Sequence, residues 1–356
     1  DDGDDDDGTN RGGKKGSSKG SSKGKDSDDE DEKCIGTVVV GNQGDGTISI
    51  LDANLGDVLE TIEIPWNTAT MNQPVPVDVE SANGVIYVSD SANDRVVAFD
   101  GVSYKVVAII PVGDSPAEMS IDSRGSQMWV TNTADNTVIV VDLNFNVPIR
   151  SIEAFDPDGV VDFGTNVVND VLLSPSGDAG FVTYAGDGGL VVRFDSSGTI
   201  EDSNPGIGDF ARLASSFRFN CLYVASTTSN ILDILFNLDL RIDSSENIPA
   251  PYDPESSLDG QYIYITSTVN NAIHTFDVGN NVLLSTVVTT SVANPTKMTH
   301  TGDRLYVSHG DSDEVSVFSV SNANPIPIEV ANVKVGDNPF GISYCESTAV
   351  CSSSYS

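Results

Sequence analysis

A chain of 356 residues with 38% apolar content is long enough to bury at least one large core. Its formal charge of −35 argues against nucleic acid or an anionic membrane surface as a partner, and it has no unbroken apolar run of about twenty residues to span a membrane. It begins at Asp1 rather than Met and shows nothing like a signal peptide, which reads as a processed, soluble, secreted form.

Residues 1–33, DDGDDDDGTNRGGKKGSSKGSSKGKDSDDEDEK, hold 12 of the 53 acids and 7 of the 18 bases. They offer no apolar residue to seed a core, so a disordered tail is expected. The body keeps the other 41 acids and 11 bases and is acidic on its own account, with Lys105, Lys297 and Lys334 its only lysines. Such a surface suits a salty or calcium-containing exterior and cationic rather than anionic partners.

From Ile35 onward one pattern recurs: an apolar strand, a polar turn rich in Asn, Asp and Gly, then an alternating strand that often ends in Asp. In chain order the seven copies are TVVVGNQGDGTISILD, IYVSDSANDRVVAFD, MWVTNTADNTVIVVD, GFVTYAGDGGLVVRFD, CLYVASTTSNILDILFN, YIYITSTVNNAIHTFD and RLYVSHGDSDEVSVFS. Their anchors, Val39, Tyr87, Trp129, Phe181, Tyr223, Tyr264 and Tyr306, are mostly about 42 residues apart, the period of a four-stranded propeller blade, with two longer gaps that mark insertions. Short strands between turn signals read as antiparallel sheet, and no stretch keeps helical periodicity for three turns. One such sheet cannot bury both faces; seven packed radially can. The expected fold class is therefore all-β, a seven-bladed β-propeller over residues 34–351 with a short tail at 352–356. The first copy lacks an inner strand, and NPFGISYC near the C-terminus matches SPAEMSID at residues 115–122, so the last strand is expected to complete blade 1.

WVTN at Trp129–Asn132 is nearly literal, and YVSD, YVAS and YVSH are looser versions of the same signature. Over roughly residues 35–345 the chain resembles the YVTN family of seven-bladed propellers. The resemblance implies a fold rather than an activity: members are mostly surface, envelope or secreted binding proteins, and sugar-lactone hydrolases have a similar propeller.

The candidate functional residues follow from this frame. Cys34 precedes the first strand of blade 1, and Cys345 and Cys351 end the strand that should pair with it, so a Cys34 bridge to either would lock the ring, while a local Cys345–Cys351 loop is also feasible. Cys221 reads as a buried free thiol. Trp66, in the insertion PWNTATMNQP, is expected near the channel mouth, either closing over a ligand or capping blade 2. Aligning the inner strands on SPAEMS puts Asp78, Asp170, Arg212, Asp253, Lys297 and Gly341 at the position of Glu118. Four carboxylates and two bases then surround one mouth of the channel, whose low-dielectric walls focus their field. Asp156, Asp158 and Asp162, with Gly159, make a D-x-D-G-x-x-D arrangement similar to the calcium loops of integrin-type propellers, although Ala154 stands where a further ligand is usual; calcium is the one candidate cofactor, and an ordinary Asp/Gly surface turn is the alternative reading. His274 and His300 read as core, which leaves His309, at a strand end, as the histidine to test. No P-loop, GxSxG, HExxH or CxxC pattern occurs. No Asn lies in an open N-x-Ser/Thr sequon, Asn294-Pro295-Thr296 being blocked by proline, so the surface stays free for close protein contacts.

The functional expectation is a non-catalytic, secreted or cell-surface propeller that binds a protein or glycan partner, or assembles with itself. The alternative is a lactonase-like or lyase-like enzyme with its active site at the channel mouth.

Overall fold

The computed structural model describes residues 36–346 apart from 68, 70–71, 155–160, 187, 217, 237–238 and 292–293, so the expected tails lie outside the described residues. Its strands form seven four-stranded sheets, and the only other regular element among the described residues is the 3-10 turn Gly310–Ser312. Seven sequence repeats thus become seven antiparallel blades. Blade 1 consists of Thr37–Asn42, Thr47–Asp52 and Val58–Glu63, with the C-terminal strand Pro339–Cys345 as its inner member. Thr37 pairs with Cys345 and Val40 with Ile342, so the two ends of the propeller meet in one sheet. The other inner strands, for blades 2 to 7 in turn, are Pro76–Ala82, Pro116–Ile121, Val167–Leu173, Ala211–Ser216, Pro251–Ser256 and Pro295–His300.

The core lies between the blades. Each of seven apolar clusters spans one junction between consecutive blades, and each contains one repeat anchor. All seven anchors are at most 3% exposed. An isolated blade would present both of its apolar faces to water, so burial of an anchor requires the next blade. The recurrent Asp at the end of the third strand acts locally. Asp52, Asp100, Asp142, Asp195 and Asp277 each accept a backbone N–H two or three residues further on, which fixes the tight turn into the outer strand.

The third residue of the YVTN-like segment joins neighbouring blades. In blade 2 the inner strand slips register between Pro76 and Val79, and the Asp78 N–H donates to Ser89 Oγ at 2.9 Å. The Ser89 hydroxyl in turn donates to the carbonyl of Ala117 in blade 3 at 2.8 Å. Thr183 repeats this between Asp170 N and Ala211 O, and Thr266 between Asp253 N and Thr296 O. Ser308 donates to Phe340 O of the closing strand at 2.7 Å. Blade 5 carries Ala225 at this position, and there the ladder from Ala211 to Ser216 runs without a slip. Where the hydroxyl is present it serves the bulged amide, which needs an acceptor from elsewhere; blade 1, with Gly41 at this position, slips register without it.

Two outcomes follow. Thr266→Val keeps the shape but removes both bonds, and should lower stability by about 1–3 kcal/mol, read as a lower urea midpoint with unchanged slope. Deleting residues 337–356 leaves the blade 1 edge unpaired and should cause aggregation or a much lower Tm in a thermal melt; an unchanged Tm would contradict the closure.

Candidate functional site: a charged cavity in the channel

The expected ring exists, but as a buried and internally paired network. Asp78, Glu118, Asp170, Arg212 and Lys297 are each no more than 9% exposed, Asp253 is half-buried, and all six line one cavity of about 190 Å³ together with Glu80 and Glu255. Gly341 fills the seventh position without a side chain, and a Cβ there would approach the backbone of Asp78 to 2.7 Å. The close approach of two inner strands accounts for glycine at that point.

The pairing runs across the channel as well as around it. Lys297 Nζ donates to Asp78 Oδ1 at 2.5 Å and to Glu118 Oε2. Arg212 Nη1 donates to Glu118 Oε1 at 2.6 Å, and its Nη2 to Tyr252 Oη at 3.1 Å. The guanidinium stacks over Tyr252 at 4.6 Å and lies 5.9 Å from Phe340, whose ring meets Tyr252 edge-on at 6.3 Å. Three carboxylates also hold the blades: Asp78, Asp170 and Asp253 accept the backbone N–H of Met119, Leu213 and Met298 in the following blade, each at 2.8 Å. They are therefore structural and site-forming at once.

Six carboxyls share this cavity with two bases, and burial sets their protonation. Desolvation is the largest cause throughout. It pushes Asp253 up to about 6, Asp170 up to about 7 and Glu255 up to about 8, with Lys297 opposing the rise in each case. Glu80 rises well above its ordinary value, since burial and Asp78 act in the same direction. Asp78 rises more modestly because Lys297 offsets burial. For Glu118 burial is outweighed by Arg212 and Lys297, which hold it below the usual carboxylate value. Lys297 and Arg212 rise because their carboxylate neighbours overcome their own desolvation. The cavity thus combines fixed positive charge, one fixed carboxylate and several carboxyls that exchange protons near neutrality.

Sequence alignment of the inner strands missed Glu80 and Glu255. They stand two residues after Asp78 and Asp253, so the period of two places them on the same face one tier further along. Tyr252 and Phe340 were also missed, because their contact with Arg212 comes from the curvature of the ring. Trp66 is corrected: it does not line this cavity but a separate one with Arg95 and Pro111, since the insertion is anchored to blade 2 rather than to the channel. His309 is corrected too. It is fully buried, with Nε2 2.8 Å from Ser316 Oγ, because the Ser308 bond to the closing strand draws this strand end into the blade junction. His274 is buried beside Thr286, and His300 stacks on Tyr264 at 5.7 Å, with burial lowering it to about 4.

Asp156 and Asp158 lie outside the described residues, and the exposed Asp162 accepts the Gly164 N–H at 3.0 Å. Among the described residues no three His, Cys, Asp or Glu side chains are grouped to hold a metal ion. No disulfide forms among them either: Cys221 is a half-buried thiol and Cys345 a buried one, while Cys34 and Cys351 lie outside the described residues. No helix of the described residues is long and apolar enough to cross a membrane. A cavity of about 430 Å³, larger than the channel cavity, is lined by Asn83, Ser123 and Glu346 among others and has no base in its lining.

No protein-family model matches the chain. The uncharacterized protein YwhL of Bacillus subtilis (strain 168) is 24% identical over 277 residues, which is 66% of this chain and 58% of YwhL, so the chain spans little more than half the length of that relative. The periplasmic gluconolactonase PpgL of Pseudomonas aeruginosa is similar in structure, with a TM-score of 0.69 and 16% identity over 88% of this chain and 99% of PpgL. A functionally unknown protein from Desulfotomaculum acetoxidans reaches a TM-score of 0.71 at 17% identity over 87% of this chain and 99% of its own. These likenesses establish the seven-bladed propeller. They also count against the expectation of a non-catalytic binding scaffold: a lactonase is among the similar structures, which favours the enzyme alternative over the lean against catalysis.

The raised carboxyls give a stability signature. Asp253, Asp170 and Glu255 bind protons more tightly folded than unfolded, so their contribution is complete below about pH 4 and is lost as pH rises through about 6 to 8. Glu118 has the opposite sign, but its contribution is lost only when pH falls below its ordinary value. Urea midpoints should therefore decline from pH 5 to pH 8, and Asp253→Asn should flatten that decline.

Proposed function

We propose that the chain is a YVTN-type propeller whose channel cavity hydrolyses a small cyclic ester, a lactone. The single observation that carries this reading is the pairing, in one buried cavity, of fixed cations with carboxyls displaced to different pKa values: Asp253 at about 6 and Glu255 at about 8. Near pH 7 the first is mostly ionised and the second mostly protonated, which are the states required of a general base and a general acid.

In this reading Asp253 takes a proton from water as the water oxygen attacks the lactone carbonyl carbon. Its Oδ2 is committed to the Met298 amide, so Oδ1 does the work. Lys297 stabilises the oxyanion that develops on the former carbonyl oxygen, in surroundings where water does not screen it. The ring C–O bond then breaks, Glu255 gives its proton to the departing oxygen, and a hydroxy acid leaves. Arg212, clamped by Glu118, Tyr252 and Phe340, positions Glu118, which in turn holds Lys297. The cavity of about 190 Å³ is smaller than the roughly 300–1,000 Å³ typical of sites for drug-sized ligands, which suits one small polar ring. The gluconolactonase with a similar fold supports a sugar lactone over a lyase substrate.

The test is hydrolysis of glucono-δ-lactone and a panel of related sugar lactones, followed by acid release in a pH-stat. Turnover should exceed the spontaneous rate, and kcat/KM should rise through about pH 6 and fall again near about pH 8. Asp253→Asn should lower kcat about 10²–10⁴-fold with little change in KM. A folded wild-type protein that leaves every lactone at its spontaneous rate would sink the reading.

A further inference from the structure

The protein has two tryptophans, and their environments are opposite: Trp129 is fully buried between blades, while Trp66 is 53% exposed. Trp66 lines a cavity of about 360 Å³ whose polar wall is Asn67, Asn93, Asp94 and Arg95 and whose apolar wall is Ile109 and Pro111. The insertion that carries it is held at both ends by one buried ion pair. Arg95 Nε donates to Asp90 Oδ2 at 2.8 Å, both residues being at most 6% exposed. Arg95 Nη2 then donates to the carbonyl of Pro65, immediately before Trp66, and Asp90 Oδ1 accepts the N–H of Val75 at 3.0 Å. Asn72 donates to Ala92 O at 2.9 Å and Gln73 to Gly44 O at 2.9 Å. The base of the loop is thus built before any ligand arrives, so holding the indole outward costs a ligand little ordering entropy.

Asn93 and Arg95 are buried against Asp90, so the reachable polar edges beside the exposed indole face are the Asp94 carboxylate and the half-buried Asn67 carboxamide, which match a ligand that is apolar on one face and carries hydroxyls around its rim. A pyranose ring has that form, its axial C–H bonds lying against the aromatic face and its hydroxyls reaching the polar wall. Charge narrows the class. Asp90 neutralises Arg95, exposed Asp94 is acidic, and the whole chain stands at −35, so an anionic sugar or nucleotide is repelled. We propose that the Trp66 groove is a binding subsite for a neutral pyranose of a glycan. None of its lining residues lines the channel cavity, so it stands independently of the lactone chemistry.

Trp66 is the tryptophan that acrylamide reaches, which provides the test. With the full chain, maltotriose, cellotriose and chitotriose are titrated up to roughly 10 mM, tenfold above a millimolar Kd. One of them should shield Trp66 saturably and reduce acrylamide quenching at least twofold. Calorimetric titration of that sugar should lose its signal with Trp66→Ala, retain part of it with Trp66→Phe, and be unchanged with Asp253→Asn, which separates this site from the channel. Trp66→Ala should melt within about 1 °C of wild type, as expected for an exposed residue. Quenching unaffected by every sugar, sugar binding that survives Trp66→Ala, or protection by a proline-rich peptide in place of all three sugars would each overturn the proposal.

Discussion

The hydroxyl at the third position of the repeated strand segment is the contact on which the rest depends. It accepts the amide displaced by the inner-strand bulge and donates to the inner strand of the next blade, as Ser89, Thr183 and Thr266 show. A buried amide without an acceptor would be costly, and in these three blades the hydroxyl supplies that acceptor; the blade 1 bulge, opposite Gly41, does without one. The residue at each of these three bulges is a channel carboxylate, and its side chain binds the amide of the following blade. Blade spacing and site geometry are therefore set by the same atoms.

Around that frame the apolar junctions supply adhesion and the channel supplies chemistry. Every junction buries one large anchor, which makes the blades equivalent in packing while leaving the inner positions free to differ. The channel uses that freedom to collect charge. Six carboxyls in a narrow low-dielectric space cannot all ionise, and two bases fix which of them do. Glu118 is held ionised between Arg212 and Lys297, whereas Glu255 and Glu80 face the cavity without such a clamp. A carboxyl that is neutral near pH 7 beside one that is ionised follows from this asymmetry.

The insertion before blade 2 shows the same economy on the outside of the ring. One buried Asp90–Arg95 pair closes both ends of the segment, so an exposed aromatic residue is carried by a rigid base rather than by a free loop. Removing either charge would leave the other buried and unpaired, which ties the shape of this surface to the integrity of blade 2.

By itself, the sequence determined the all-β class, the seven blades, the closing strand and the height of the charged ring. Each of these repeats or aligns along the chain, and a period of about 42 residues carries its own evidence. The anchors were legible for the same reason: Tyr87 or Tyr264 recurs where a blade junction must be filled. Only the tertiary structure decided which charges meet. Glu118 and Arg212 are 94 positions apart and Asp78 and Lys297 are 219 apart, and no local pattern encodes a distance across a channel. It also decided that the ring is buried rather than open at a mouth, and with that the protonation of Asp170, Asp253 and Glu255, because desolvation depends on what the other blades exclude. Trp66 was misplaced from sequence because an insertion has no repeat register to align it, and its position came from an ion pair whose partners lie beyond the insertion itself.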